Sequence, residues 1–368
     1  MNYKVFASES VAAGHPDKIC DQISDAILDE AIKIYPRSRV AVESLVTKDQ
    51  VVIAGEVTCP ETLNYEGVAR AVISDLGYTK TDYGFSHQSD IKVFVHQQSP
   101  DISQGVNKGG AGDQGMMFGY AVKETPEFMP LPIALAHELV QRMDDLKTHQ
   151  LTYLRPDGKS EVCVAYENGK PLDVERIVLA APHDEGVDKE QVKKDLFQMA
   201  VLPVLGNFKL RPVSLDNFIL NGTGRWVQGG PAADTGVTGR KIIVDSYGGM
   251  ARIGGGCFSG KDPTKVDRSA AYAARFLAKN IVAAGLADRC EVQLVYVIGY
   301  SEPIARAIET FGTERRRISY IENFAWNLLH LSTQGIVEGL GLLKPIYRQT
   351  ARYGHFGRPE FPWEKINS

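Results

Sequence analysis

The chain has 368 residues, of which 43% are hydrophobic and 23% are charged, and its formal net charge is −4. At about 150 residues per domain this length predicts two or three domains, and the composition is that of a globular rather than a disordered protein. The 41 basic and 45 acidic residues nearly balance, so nothing in the charge suggests a nucleic-acid partner.

The cysteines and the apolar segments indicate the compartment. Five widely spaced cysteines include no Cys-x-x-Cys pair, which argues against a disulfide framework or a zinc site and favours a reducing compartment. The amino-terminal residues lack the apolar core of a secretion signal, and no run of about 18 apolar residues predicts a membrane span. We therefore expect a cytoplasmic protein with no membrane partner.

Helical and strand patterns alternate from the start of the chain. Apolar residues recur at helical spacing after Pro16, which suits a first helical position, while Asp17 favours the positive end of a helix. The next predicted elements are two strands, a short helix and a third strand, at residues 39–44, 51–58, 68–76 and 91–95. Residues 99–115 contain five glycines and no aliphatic run, which is typical of a long loop that covers or binds a ligand.

The second half of the chain continues the mixture. Helices are predicted at 133–143, 190–199 and 269–284, and strands at 161–167, 174–180, 242–244 and 292–298. Glycine-rich stretches at 221–239 and 248–260 separate these elements, and an aromatic, proline-rich tail begins at Lys344. Strands joined both by hairpins and by crossovers predict α+β sheets rather than one doubly wound parallel sheet.

Three polar clusters can carry chemistry, and the first is Gly14-His15-Pro16-Asp17-Lys18. A helix start that holds an imidazole, a carboxylate and an ammonium can bind phosphate and Mg²⁺, because helix amino termini attract anions and aspartate is a hard oxygen ligand. The alternative is an ordinary helix start.

The second cluster, Gly254–Asp262, nearly matches the phosphate-binding pattern of glycine, four residues, glycine and lysine. It has Asp262 where serine or threonine would hold magnesium, so a true P-loop is not predicted. Two interpretations remain. Either the backbone N–H groups of this glycine loop bind phosphate, with Lys265 and Asp267 beside it, or the segment is a tight turn with solvated lysines.

The third cluster, Asp234–Lys241, ends in two adjacent cations directly before an apolar segment. They either cap a sheet edge or clamp a phosphate group. Together the clusters suit a polyanion carried with a divalent metal, for which a nucleoside triphosphate is the obvious candidate. No Ser-His-Asp or Cys-His nucleophile is visible. The residues alone therefore predict an enzyme that binds a magnesium–nucleotide complex, without specifying its reaction.

Longer motifs carry a family resemblance. Gly-Ala-Gly-Asp-Gln-Gly at 110–115, followed by Gly119-Tyr120, resembles one signature of the S-adenosylmethionine synthetase family, and residues 254–262 resemble its other signature. Shorter matches to the family are Gly14–Lys18, Thr238–Lys241 and Tyr353–Gly357. The motifs occur in the family's order over nearly the whole chain.

The resemblance implies an α+β fold of three structurally similar domains about a pseudo-threefold axis. The implied segments are an N-terminal domain at 3–98, a mobile glycine-rich lid at 99–112, a central domain at 113–228 and a C-terminal domain at 229–363. It also implies a homodimer with active sites shared between subunits, paired into a homotetramer. The implied reaction is attack of the methionine sulfur on C5′ of ATP, followed by hydrolysis of tripolyphosphate to phosphate and diphosphate.

The same resemblance implies roles for individual residues. The residues around the triphosphate are His15, Lys159, Arg240, Lys241, Lys261 and Lys265. The methionine contacts are Glu56, Gln98, Asp234 and Lys265. The further ATP contacts are Asp113, Asp157, Arg225, Trp226, Asp234 and Cys257. Two Mg²⁺ ions per site are expected on Asp17 and Asp267, and Glu43 is the residue associated with K⁺.

The chain departs from its relatives at four places. The lid is about five residues shorter than in typical bacterial members, Trp226 replaces phenylalanine, and Ala233 replaces a glycine. Residues 329–333 read Leu-His-Leu-Ser-Thr instead of Phe-Asp-Leu-Arg-Pro. The rival hypotheses are another Mg-ATP-dependent phosphoryl-transfer enzyme and a non-catalytic nucleotide-binding regulatory subunit.

Overall fold

The computed structural model describes residues 4–97 and 110–367. The strands are β1 Val5–Val11, β2 Arg39–Thr47, β3 Gln50–Thr58, β4 Asp90–His96, β5 Gly115–Val122, β6 Lys159–Glu167, β7 Lys170–Ala180, β8 Phe218–Leu220, β9 Gly236–Val237, β10 Arg289–Tyr296 and β11 Ala305–Glu309. The helices are α1 Pro16–Ile34, α2 Tyr65–Asp75, α3 Leu131–His149, α4 Lys189–Leu196, α5 Leu202–Asn207, α6 Ile242–Asp245, α7 Val266–Ala283, α8 Ile318–Trp326, α9 Thr333–Gly339 and α10 Tyr347–Thr350. Most of the predicted lid, and Gln98, lie outside the described residues.

Three sheets in the described part of the chain share one pattern. Their strand orders are β9-β2-β3-β4, β1-β6-β7-β8 and β5-β10-β11. Each contains an antiparallel pair that is adjacent in sequence, such as β6–β7, which turns at Asn168-Gly169 with both residues at positive φ. In the first two sheets a helical crossover then adds a strand parallel to the second strand of the hairpin, β4 beside β3 and β8 beside β7. The predicted mixture of hairpins and crossovers is confirmed.

The outer antiparallel strand of each sheet comes from elsewhere in the chain. If residues 4–97, 110–228 and 229–367 are taken as the first, second and last thirds of the chain, β1 from the first third pairs with β6 of the second, and β5 from the second third pairs with β10 of the last. β9, from the last third, closes the cycle by pairing with β2 of the first. This cyclic exchange is what a threefold-like arrangement requires, and the predicted α+β fold of three similar units is confirmed. The linear domain boundaries stay a prediction, since a cut at any of them would separate an outer strand from its sheet.

Each sheet is covered by one long helix from its own third of the chain. α1 packs on β2, α3 packs on β1 and β6, and α7 packs on β5 and β10. The first and last of these helices are buried along nearly their whole length, polar positions included. A fully buried helix must satisfy its polar side chains with protein partners, and on α1 those partners belong to the candidate site described below.

Residues 242–244 do not form the predicted strand. They belong to the short helix α6, which begins after Lys241 and whose last residue, Asp245, is buried. A run of three apolar β-branched residues is too short to show a helix or strand period. Tertiary contacts therefore decided its conformation against its intrinsic preference for a strand. The other elements predicted from periodicity are present, with ends that differ by a few residues.

Gly119 marks the closest approach of β5 to α7. A Cβ atom there would overlap the backbone of Ala274 and Arg275, so the helix would have to move away from the sheet. We expect Gly119→Ala to destabilise the fold by about 3 kcal/mol, the upper part of the usual range for overpacking. Urea unfolding measures the change.

Gly206 in α5 provides the matched control for this prediction. A Cβ atom there meets nothing within 4 Å, and its φ is not positive. Gly206→Ala should therefore be neutral or stabilising by about 0.5–1 kcal/mol, because alanine is the better helix former. Equal effects of the two substitutions would contradict the assigned β5–α7 contact.

Candidate active site

Both cationic segments of the last third run along one edge of β2. Gly236 and Val237 pair with Val46 and Leu45, and Thr238 N–H continues the contact by donating to Ser44 O at 3.0 Å. Further along the same edge, Val42 N–H donates to Gly260 O, and Ala41 bridges to Lys261. The strand edge is thereby covered, and it aligns the loop that carries Arg240 and Lys241 with the loop that carries Lys261.

Asp17 is the centre of the first charged group. One of its carboxylate oxygens accepts the backbone N–H of Val237 at 2.9 Å, and the other accepts from Lys241 Nζ at 2.5 Å. Arg240 Nε lies 3.9 Å from the same carboxylate. Although burial would raise the pKa of Asp17, the hydrogen bond from Lys241 and the other contacts lower it below its ordinary value. Asp17 is therefore a buried carboxylate ion whose present counter-ion is a lysine.

His15 is the N-cap of α1, a role that the sequence reasoning missed. Its Nδ1 accepts the N–H of Asp17 at 3.1 Å, so the proton of the neutral ring lies on Nε2. Burial, and then the charges of Lys241 and Lys159, lower the pKa of His15 to about 3. The ring is neutral at physiological pH and has an N–H group to donate.

Lys159 reaches this group from another third of the chain. It is the first residue of β6 and pairs in register with Val11 at the end of β1, just before the segment that contains His15. Beside it, Asp157 is buried and accepts the N–H groups of Gly158 and Gly230, at 2.7 and 2.8 Å. Both carboxylate oxygens of Asp157 thus accept backbone N–H groups, and the bond from Gly230 anchors the loop that leads to Asp234.

A second charged group lies around Lys261. Its Nζ is 2.6 Å from Asp267 Oδ2, and Gly256 packs so closely on the Asp267 carboxyl group that a Cβ would overlap it. Lys265, the N-cap of α7, pairs with Asp262 at 2.5 Å. Burial alone would raise the pKa of Asp262, but Lys265 and Thr264 bring it below its ordinary value. The three lysines of the two loops are each neutralised by one aspartate.

Glu43 and Glu56 face the same group from the β2–β3 pair. Glu43 is opposite Ala54 and Glu56 is opposite Ala41, which makes the two glutamates diagonal neighbours on one face of the sheet. Partial burial and the nearby charge of Glu56 raise the pKa of Glu43, whereas Lys261 works in the opposite direction. The predicted potassium residue and the predicted methionine contact are therefore adjacent.

Of the remaining predicted residues, Cys257 lies beside the two charged groups, whereas Arg225 and Trp226 lie in the loop after β8. Cys257, in the 254–262 loop, packs against Gly239 of the other loop, because a Cβ added to Gly239 would be 2.5 Å from the Cys257 Cβ. Burial raises the pKa of the Cys257 thiol. Arg225 instead pairs with Glu185 at 2.5 Å, and Trp226 donates to Gln228 O at 2.7 Å, both in the loop after β8. Asp113 and Asp234 are both exposed.

The glycine loop at 254–262 is not a P-loop. In a P-loop the helix begins at the lysine and a strand comes directly before the loop, whereas here α7 begins only at Val266, and residues 247–253 form no strand. Across residues 4–97 and 110–367, no three His, Cys, Asp or Glu side chains cluster so as to hold a metal ion by themselves. A metal held by one or two of these carboxylates would need further ligands, such as water or phosphate oxygens.

The comparisons with known proteins cover the whole chain. Models of the S-adenosylmethionine synthetase N-terminal, central and C-terminal domains match residues 3–100, 108–226 and 228–365. The chain belongs to the S-adenosylmethionine synthetase family. Relatives named S-adenosylmethionine synthase include those of Desulforudis audaxviator, 49% identical over 389 aligned positions, and Treponema denticola, 50% over 378. A third, from Staphylococcus epidermidis, is 49% identical over 386 positions, and each alignment spans all of this chain and 96–97% of the relative.

Two of the four departures of this S-adenosylmethionine synthetase chain from its relatives are accommodated locally. Ala233 has φ −106°, so the residue that replaces glycine needs no left-handed conformation. In the altered segment before α9, Leu329 and Leu331 pack in the core, and Ser332 caps the helix by accepting from Gly335 N–H. The substitutions supply their own packing and capping.

The sequence reasoning also missed three acidic residues on α1. Asp21, Asp25 and Asp29 follow Asp17 at intervals of four, and all are buried. The signal was available, because four-residue spacing places side chains on one face of a helix. Without the fold, an acidic helix face is read as solvated.

In the described part of this S-adenosylmethionine synthetase chain, no helix has both the length and the apolar character needed to cross a bilayer. The cysteines, all in that part, form no disulfide.

Proposed function

We propose that this chain forms S-adenosyl-L-methionine from ATP and L-methionine, and then hydrolyses the released tripolyphosphate to phosphate and diphosphate. The observation that carries the proposal is the set of three lysine–aspartate pairs on two adjacent loops, Lys241–Asp17, Lys261–Asp267 and Lys265–Asp262. Each ammonium is held in place before substrate arrives. Such a site is suited to a polyanionic leaving group.

The chemistry needs cations more than a base. A thioether sulfur has free lone pairs and no proton to lose, so its attack on C5′ requires no proton acceptor. The difficulty is the charge that develops on the departing triphosphate, which prearranged cations stabilise. Arg240, Lys241, Lys261, Lys265 and Lys159 supply five positive charges. His15 donates a hydrogen bond from Nε2 to a phosphate oxygen and helps to hold the tripolyphosphate for the second step.

Magnesium fits the donor set. Asp17 and Asp267 are carboxylates whose present counter-ions are lysines, so each can turn an oxygen to a metal while its lysine turns to phosphate. Mg²⁺ is commonly held by one or two carboxylates together with substrate phosphates, which agrees with a site that has too few protein ligands of its own. When bound, Mg²⁺ would neutralise charge on the phosphates. Two Mg²⁺ per site on these residues, and K⁺ near Glu43, are part of the proposal.

Methionine is assigned to the Glu56 side of the site. Glu56 lies on the sheet face beside Glu43, and it can accept from an amino group. Lys265 can hold a carboxylate, and the exposed Asp234 lies on the Gly230 loop. Gln98, the fourth predicted contact, stays a prediction outside the described residues, as does the lid.

A dimer with shared sites is also proposed. Met116, Ile298 and Tyr300 are more than half exposed, and they lie where the segment from Gly110 meets the end of β10. Met116 borders the candidate site directly, because its carbonyl oxygen packs on Gly254. An apolar surface at the rim of a catalytic site is suited to a second subunit. The tetramer and the cytoplasmic location stay predictions.

The reaction products test the proposed function. Incubation with ATP, methionine, Mg²⁺ and K⁺ should yield a sulfonium product with equal amounts of phosphate and diphosphate, measured by mass spectrometry and anion chromatography. A sample without methionine controls for simple ATP hydrolysis. ADP as the main nucleotide product would favour a phosphoryl-transfer enzyme instead, and an absence of any turnover would favour a regulatory subunit.

A further inference from the structure

α1 carries a row of four aspartates, Asp17, Asp21, Asp25 and Asp29, at four-residue intervals. Each accepts at least one backbone N–H from the last third of the chain. The donors, in the order of the aspartates, are Val237, Gly239, Gly260 and the pair Tyr347 and Arg348. One helix face therefore holds three separate segments that are distant in sequence.

The two middle aspartates hold the glycines that precede the proposed triphosphate cations. Asp21 Oδ1 accepts from Gly239 N–H at 2.8 Å, directly before Arg240 and Lys241. Asp25 Oδ1 accepts from Gly260 N–H at 2.8 Å, directly before Lys261. The same contact is thus built twice, once under each loop, and in both cases it fixes the backbone from which a cation extends.

Both glycines need such a fixed position. Each has φ +81°, a conformation that residues with a side chain rarely adopt. Gly239 lies against Cys257, and Gly260 lies against the Val42 carbonyl. A glycine at positive φ has many alternative conformations, so an acceptor below it selects the one that directs the next side chains into the site.

The charge around Asp21 permits a clean test. Lys18 Nζ lies between Asp21 Oδ2 at 2.9 Å and Asp245 Oδ1 at 2.5 Å, with all three groups buried. Loss of the Asp21 charge leaves Lys18 and Asp245 as a balanced pair, so no unpaired buried cation results. At Asp25 the corresponding change would leave the buried Arg268 without its carboxylate partner.

We propose that Asp21 is a positioning residue for the reaction, which sets the loop of Arg240 and Lys241 through the Gly239 N–H. The inference rests on the proposed function, in which these two cations hold the triphosphate. Asp21 itself is fully buried beneath the loop, out of reach of a molecule bound on the loop's outer side.

The test compares two substitutions at Asp21. Asp21→Ala removes the acceptor, and binding of inorganic tripolyphosphate with Mg²⁺, measured by calorimetry, should weaken about tenfold, with a similar loss in kcat and little change in KM for methionine. Asp21→Asn keeps an oxygen for Gly239 N–H, while its amide nitrogen faces the Lys18 ammonium. It should therefore lose stability but recover most of the tripolyphosphate affinity.

Asp29 provides the matched control on the same helix face. It accepts the N–H groups of Tyr347 and Arg348, which carry no proposed phosphate contact, so Asp29→Ala should lower the thermal midpoint and leave tripolyphosphate affinity and kcat unchanged. If the affinities of all these variants follow their thermal midpoints, Asp21 has only a structural role and the inference is overturned. The same holds if Asp21→Ala binds as the unmodified protein does. If the unmodified protein itself binds no tripolyphosphate, the proposed function fails instead.

Discussion

Replacement of Lys265 by alanine is expected to slow sulfonium formation about 10²–10³-fold, the usual cost of removing one prearranged group that stabilises developing charge. Lys265 caps α7 beside the glycine loop, and its side chain is 20% exposed, so its ammonium can reach a bound substrate. Single-turnover measurements of sulfonium formation give the rate directly.

The structure changes one expectation about this variant. As a charged loop residue, Lys265 would be expected to contribute little to stability, yet it is paired with the fully buried Asp262. Its loss leaves a buried carboxylate that retains Val40 N–H and Thr264 as hydrogen-bond partners and Arg39 Nη1 at 3.8 Å, but loses its closest cation. The control is therefore a double variant, Lys265→Ala with Asp262→Asn, which should regain stability and remain slow. Unchanged turnover in the single variant would remove Lys265 from the site.

Replacement of Glu364 by glutamine should destabilise the last third of the chain by about 3–5 kcal/mol, the cost of leaving buried charges unpaired. Glu364 accepts from Arg275 Nε and Nη2, both at 2.9 Å, and from Lys279 Nζ at 2.7 Å. It also accepts Gly357 N–H, so one carboxylate holds the carboxy-terminal tail on α7. Urea unfolding monitored by tryptophan fluorescence measures the loss, because Trp363 is adjacent and buried.

The same pair predicts a pH dependence. Burial would raise the pKa of Glu364, but Arg275 and Lys279 bring it below its ordinary value of 4.5. A carboxyl group with a lowered folded-state pKa contributes its full stability above its unfolded pKa and loses that stability as the pH falls through the folded-state value. The stability difference between the unmodified protein and Glu364→Gln should therefore be constant near neutrality and shrink below about pH 4.5.

Glu360, on the same tail, is the control for Glu364. Its carboxylate pairs with Arg358 at the surface and is about half exposed, so Glu360→Gln should cost less than about 1 kcal/mol. Equal losses from the two substitutions would show that the buried arginine–lysine–glutamate cluster contributes nothing beyond an ordinary surface pair.

Much of the local structure was predictable from the sequence. The helix after Pro16, the Asn168-Gly169 hairpin and the helix of the last third follow from periodicity and turn chemistry. The candidate site was also accessible in outline, because glycine loops flanked by lysines and aspartates suggested a metal–polyphosphate ligand. The individual roles came from the family resemblance.

Other features required the tertiary structure. The strand predicted at 242–244 is a helix, since three β-branched residues have no period that distinguishes the two. The pairing of Lys241 with Asp17 joins residues 224 positions apart, and β1, β5 and β9 each complete a sheet in another third of the chain. Hydrophobic periodicity records which face of an element is buried, but not which distant segment buries it.

The sequence by itself determined the elements, the glycine loops and the charge types of the site. The tertiary structure decided which lysine meets which aspartate, and that the acidic face of α1 is an internal row of acceptors rather than a solvated surface. The physical reason is that an ionised side chain is stable in water without a partner, and in the interior only with one. Whether Asp21 and Asp25 are internal thus depends on donors that the chain supplies more than 200 residues later.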